Sequence, residues 1–223
     1  MIEQKLNDEI IDSLCPFIKS AFKLIELDNK NEYTYAYLLL LASGIERLQK
    51  IIYILYELDI NASVPSEKKL KKLSHDISKT YVNNIKPYFK IEDIFQEEEN
   101  LINKSLEIIT EIVTTLRYAN FDFMKQSSFD IPSHIVKILD VIHSKYESNI
   151  DYENISKSII SIILQKYIAF LVYLIWHKKV GYSVNVHPIC LQRFITEGYI
   201  EGNLNEEIQS IIDTANQEAR DRK

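Results

Sequence analysis

Glu46, Lys50, His75, Lys79 and Arg117 are the residues of this chain whose types and spacing could do chemistry together, with Asn120 close behind Arg117. Glu46 and Lys50 stand at i, i+4, where a carboxylate and an ammonium meet on one helix face. His75 can take or give a proton near neutral pH. Arg117 or Lys79 could hold a phosphate or a carboxylate. A carboxylate, an imidazole and a cation on adjacent helices could line one polar pocket at the bundle surface. Each also has a structural reading. Glu46–Lys50 is an ordinary intrahelical ion pair, His75 a solvated side chain behind Lys68, Lys69, Lys71 and Lys72, and Arg117 a partner for the last carbonyls of its helix.

Other chemistries find no support in the composition. His75, His134, His143, His177 and His187 form no i, i+3 or i, i+4 pair, so no metal site is expected. Glu97, Glu98 and Glu99 read as a solvated acidic run. With 4 Gly in the chain, phosphate-cradling and dinucleotide loops are absent, as are serine-hydrolase and cysteine-protease signatures, and no cofactor is expected. The net charge of −6 argues against broad binding to nucleic acid, which needs surplus Lys and Arg along the phosphates. Cys15 and Cys190 sit in apolar settings far apart and predict reduced, buried thiols. Glu3, Lys5, Asp8 and Glu9 interrupt any signal peptide. Ile159 to Trp176 is apolar but carries Gln165 and Lys166, and its unbroken run is short of the ~20 residues of a membrane span. It predicts a core helix, no membrane partner and a cytoplasmic location.

The elements that must position these residues are helices, because 4 Gly and 5 Pro in 223 residues leave few breaks. From Tyr33, Leu38, Leu41, Ala42, Ile45, Leu48, Ile52 and Leu55 form the apolar stripe of an amphipathic helix. Beside it run Ser43, Glu46, Lys50 and Tyr53, a polar flank. After a loop over Asn61 to Ser66, with Ser66 as N-cap, a second helix carries Leu70, Leu73, Ile77 and Tyr81. His75, Asp76 and Lys79 lie off that stripe, and Lys86-Pro87 stops the helix. Asn7 to Leu27 predicts an earlier helix, kinked or divided near Leu14 to Cys15 by Pro16. In Asn100 to Asn120 the inward stripe is Ile102, Leu106, Ile109, Val113 and Leu116. Leu101, Ile108 and Tyr118 fall outside it and predict a second apolar face, for a neighbouring helix or a partner. Asp130 to about Tyr146 reads as a helix, and Asn154 to Lys179 as one buried on most faces. Tyr182, Val184 and Val186 alternate as in a short extended segment. Pro188 to Thr196 predicts a helix, and Asn205 caps a last one with a frayed tail from Gln217. The fold class is all-α: a bundle of about seven helices over residues 1–180, with 181–223 as a C-terminal extension packed on the same domain.

The segments LLLASGIERLQKIIYIL, KKLKKLSHDISKTY and LRYANFD, in that order between Tyr33 and Phe123, resemble the HEPN superfamily of small all-α domains. The resemblance implies an up-and-down bundle with its core over about 33–180. It also implies a homodimer with Arg117 near the two-fold axis. A large subset of that superfamily cleaves RNA in toxin–antitoxin and anti-phage systems, while others are inactive binding modules. The ribonuclease subset carries an Arg followed, after four to six residues, by a His. Counting from Arg117 gives Asp122, Phe123 and Met124; from Arg47, Ile52, Tyr53 and Ile54; from Arg193, Gly198, Tyr199 and Ile200. The motif is absent. The expectation is therefore a non-catalytic, HEPN-like dimeric interaction or ligand-binding protein. Its ligand would be a nucleotide or RNA, held by Glu46, Lys50, His75, Lys79, Arg117 and Asn120, and a partner protein encoded nearby is a further expectation. Two alternatives stay open: a diverged, metal-independent ribonuclease using His75 with Lys79 or Arg117, and an unrelated helical adaptor or immunity protein.

Overall fold

Helices dominate the residues described by the computed structural model, which are 2–27, 34–73, 75–89, 99–119, 152–196 and 203–221; no strand occurs among them. The expected loop Asp28 to Asn31, the run Glu92 to Glu98, Asn120 and the helix expected over Asp130 to Tyr146 lie outside these residues, as do the side chains of Arg117 and Tyr118.

Helix α1 (Ile2–Glu9) and helix α2 (Cys15–Leu27) are joined without a break by a π-turn over Ile10–Leu14. Pro16 accounts for it. Proline has no N–H to donate, and its ring crowds the carbonyl one turn back, so the preceding turn widens by one residue. The Cys15 amide accordingly donates to the Ile10 carbonyl. Ile10, Leu14, Ile18 and Ala21 are buried along one side.

Helix α3 (Thr34–Asn61) is the hub, packed on α2, α5, α6 and α7. All of its predicted stripe from Leu38 to Leu55 is buried. Gly44 sets the closeness of α2: a Cβ there would stand 2.6 Å from Ile18 Cγ1. The helix expected from Ser66 to Ile85 is instead two, α4 (Glu67–Lys72) and α5 (Ile77–Asn84). Ser66 caps α4 as expected, accepting from the Lys69 amide at 3.3 Å. Asp76 caps α5, accepting from the Lys79 amide at 2.9 Å. An aspartate that can bond its own chain three residues on offers the backbone an alternative to a continuous helix, and here that alternative wins. The stripe survives the break, with Leu73, Ile77 and Tyr81 buried.

Helix α6 (Glu99–Ala119) buries Ile102, Leu106 and Ile109 as predicted. The second apolar face does not remain outward: Leu101 and Ile108 are also buried within the chain. Helix α7 (Tyr152–Trp176) is the one described helix long and apolar enough to cross a membrane, yet 78% of that stretch is buried in the fold. It is a core helix. Gln49 ties it to α3, donating to Tyr167 Oη at 2.7 Å and to the Ile77 carbonyl at 3.1 Å. Lys166, wholly buried, meets Glu207 at 2.8 Å on α9 (Leu204–Asp221).

Between α7 and α9 the chain is held by side chains rather than by regular structure. The alternation over Tyr182 to Val186 corresponds to an irregular segment in which Val186 is buried and Tyr182 exposed. Asp59, near the end of α3, accepts from the amides of Gly181 (2.5 Å) and Ser183 (3.1 Å) and from Ser183 Oγ (2.7 Å). Gly181 has φ +73°, a conformation glycine takes without cost. Lys178 Nζ donates to the Val184 carbonyl at 2.9 Å. From the other side, Glu3 accepts from the Asn185 amide at 2.9 Å, and Asn7 donates to the Asn185 carbonyl at 3.1 Å. Pro188 to Thr196 divides into a single 3-10 turn (Ile189–Leu191) and α8 (Arg193–Thr196).

Two further expectations are corrected. Cys15 and Cys190 are not separate thiols but a disulfide, their Cα atoms 6.2 Å apart across 175 residues of sequence. Spacing along the chain carries no information on this pairing; the docking of the 3-10 turn beside the start of α2 does. Asn203, not Asn205, caps α9, accepting from the Asn205 amide at 3.0 Å. The helix then runs to Asp221, where Gln217 donates to Asp221 at 3.1 Å.

Candidate functional site

Ser43, Glu46 and Lys50 leave α3 at i, i+3 and i+7, one flank away from the buried stripe, and Arg47 extends that flank. The flank faces a surface cleft of about 400 Å³. Leu6 and Glu9 of α1 and Phe17 of α2 form the opposite wall; Ile51, Ile54 and Leu70 give an apolar end; His75 stands at the rim.

The break between α4 and α5 brings His75 there. Thr80 Oγ1 donates to the Leu73 carbonyl at 2.9 Å, so the segment is tied on its N-terminal side. The Ser78 amide, at the open start of α5, donates to Thr110 Oγ1 of α6 at 3.0 Å. With Gln49 on the Ile77 carbonyl, three elements fix the turn that carries the imidazole.

His75 Nδ1 lies 2.9 Å from Glu46 Oε2, and Lys50 Nζ donates to Glu46 Oε1 at 2.5 Å. An ionised carboxylate only accepts, so Nδ1 is the donor and carries the proton. The Glu46 side chain is 16% exposed and that of His75 48%. Burial raises the Glu46 carboxyl, but the bonds from His75 and Lys50 and their charges outweigh it and hold Glu46 below its ordinary value. Opposite, Arg47 pairs with Glu9, and its guanidinium lies 5.2 Å from the centroid of the Phe17 ring. Both carboxylates of the cleft therefore face a cation of the cleft. Tyr53, the last of the polar flank, does not line it. It donates to Glu57 at 2.8 Å, and burial together with Glu57 pushes its hydroxyl up to about 12.

Of the residues expected to gather, Glu46, Lys50 and His75 do. Lys79 is exposed on α5 and is not part of the cleft wall. The side chain of Arg117 and the whole of Asn120 lie outside the described residues. Arg47, Glu9 and Phe17 were not singled out for this site. The only sequence signal was that Arg47 adjoins Glu46; its pairing with Glu9 spans 38 residues and follows from the α1–α3 packing. Among the described residues, no three His, Cys, Asp or Glu side chains are grouped to hold a metal ion.

Chemically, the cleft offers charged donors of fixed orientation beside apolar surface, the usual make-up of a small-ligand site. Comparison with family models, with characterised proteins and with solved structures finds no match in any of the three. Fold and site therefore define the class by themselves: an all-α chain with an ion-paired, amphipathic cleft at its hub helix.

Proposed function

We propose that this chain is a non-catalytic, HEPN-like binding protein whose ligand enters the cleft between α1, α3 and α4. The observation that carries the reading is the Glu46 carboxylate, which orients both His75 and Lys50 in an amphipathic cleft. Fixed donors spare a ligand the cost of ordering them. Arg47, Lys50 and His75 suit an anionic group, while Phe17 and Leu70 suit a flat or apolar one, so a nucleotide or the end of an RNA strand is the ligand class in view. Links to toxin–antitoxin or phage-defence systems, and homodimerisation, rest on the family likeness of the α3–α6 segments alone. The α6 face invoked for a dimer is used inside the chain.

Titration calorimetry with uridine monophosphate and with a short single-stranded oligoribonucleotide tests the reading. Binding by the wild type that weakens at least about tenfold in Arg47→Ala and His75→Ala supports it. Binding unchanged by either substitution, or no binding of either probe, overturns it.

A second reading is favoured by one distance. A histidine held at Nδ1 by a carboxylate is oriented as general bases are, with its basic lone pair at Nε2. A diverged ribonuclease built on His75 would cleave RNA without added metal and lose that activity in His75→Ala. RNA left intact by the wild type discards it.

A further inference from the structure

We propose that Arg47 is the seat for an anionic group in the cleft, and that Glu9 is its built-in competitor, held on Arg47 until a phosphate of the ligand displaces it.

The inference rests on the cleft reading above and adds which cation takes the ligand's charged group. The charges of the cleft are paired in the chain itself: Glu46 with Lys50 and His75, Glu9 with Arg47. The two arrangements are unequal. The Glu46 side chain is 16% exposed and bonds two donors. Those of Arg47 and Glu9 are 40% and 38% exposed. An ion pair that water reaches at both partners holds weakly, so an incoming anion opens Arg47 at less cost than Lys50. The match of Glu9 to Arg47 is also incomplete. Glu9 Oε1 meets one nitrogen, Nη1, whereas the guanidinium fork can give two parallel bonds to one phosphate.

Parting Glu9 from Arg47 disturbs little else. Arg47 keeps its place, because its Cζ lies over the Phe17 ring of α2, 5.2 Å from the centroid, and an aromatic face holds a cation by itself. Helix α1 keeps its place too. Leu6 and the adjoining Ile10 are buried, and Glu3 and Asn7 bond the backbone of Asn185. Glu9 is the last residue of α1, and a turn of its side chain alone clears the seat. While Glu9 stays, the affinity for an anion is reduced by the fraction of molecules in which the seat is open. Removing the competitor should therefore tighten anion binding, the opposite of what losing a purely structural ion pair would do.

Inorganic phosphate, titrated into the full chain and followed on the Nε–H resonance of Arg47, tests the seat, with uridine monophosphate titrated in parallel by calorimetry. Expected is binding of both probes about three- to tenfold tighter in Glu9→Gln than in the wild type, the size of gain that an exposed pair allows. Asp8→Asn removes the same charge one residue earlier, outside the cleft walls, and should change neither. The gain for uridine monophosphate should vanish when Glu9→Gln is combined with Arg47→Ala. Equal affinity of wild type and Glu9→Gln for both probes, or a gain that persists without Arg47, overturns the proposal. If uridine monophosphate binding nevertheless depends on Arg47 and His75, the cleft reading stands without it. Phosphate that binds as expected in a chain taking neither uridine monophosphate nor oligoribonucleotide upholds the seat and removes the nucleotide reading. Binding of neither probe by either chain overturns both.

Discussion

Glu46 is the carboxylate of the cleft that His75 and Lys50 both bond. Its carboxyl is held below the ordinary value of 4.5, so the charged form is favoured by folding. A group lowered in the folded state contributes stability that is complete above its unfolded pKa and fades as pH falls through the folded one. Glu46→Gln should therefore cost about 1–2 kcal/mol near pH 7 by urea denaturation, and the difference from wild type should shrink as the pH falls below the ordinary carboxyl value of 4.5. Asp59 is the other residue on which much depends, since four donors of the 181–183 turn converge on its carboxylate. Asp59→Ala is expected to lower stability by about 2–3 kcal/mol, read from the thermal midpoint. At this scale the sequence was only half legible. Glu46 and Lys50 declared themselves by spacing, and His75 by its type. Asp59 and Arg47 did not, because their partners lie 122 to 124 residues downstream and 38 residues upstream, and no local pattern reports such a distance.

Helices were the most legible part of the molecule. The stripes of α3 and α6 follow from periodicity alone, and the disturbance at Pro16 follows from the missing amide, although a π-turn rather than a break absorbs it. What periodicity could not foresee was the division of α4 from α5, where the Asp76 cap competes locally with helix continuation. Nor could it say whether the extra apolar residues of α6 meet the chain itself or a partner. Ile108 lies 4% exposed within the chain. Ile108→Asp should thus abolish cooperative unfolding by circular dichroism, the result of a charge placed in a core, rather than release an intact folded monomer. Gly44→Ala tests the α2–α3 approach. Its new methyl would meet Ile18 Cγ1 at 2.6 Å, and overpacking of this kind costs about 1–3 kcal/mol, seen as a lowered urea midpoint with an unchanged slope.

Across the whole molecule, the buried Lys166–Glu207 pair joins the central helix to the last one. Its two ends are not equivalent, because Lys166 is wholly buried while the Glu207 side chain is 31% exposed. Removing the carboxylate strips a buried ammonium of that partner, whereas removing the ammonium leaves a carboxylate that water can reach. Glu207→Ala is accordingly expected to cost more than Lys166→Met in parallel chemical denaturation.

The attachment of α1 has a consequence for the order of events on the ribosome. Glu3 and Asn7 are translated early, yet their hydrogen-bond partners at Asn185 and His187 follow 178 to 182 residues later. At about 5–20 residues per second, that interval is roughly ten to forty seconds. For all of it Glu3 and Asn7 lack the backbone groups they finally bond. The contacts that join α1 to this segment therefore form long after its contact with α3 through Glu9 and Arg47 can form.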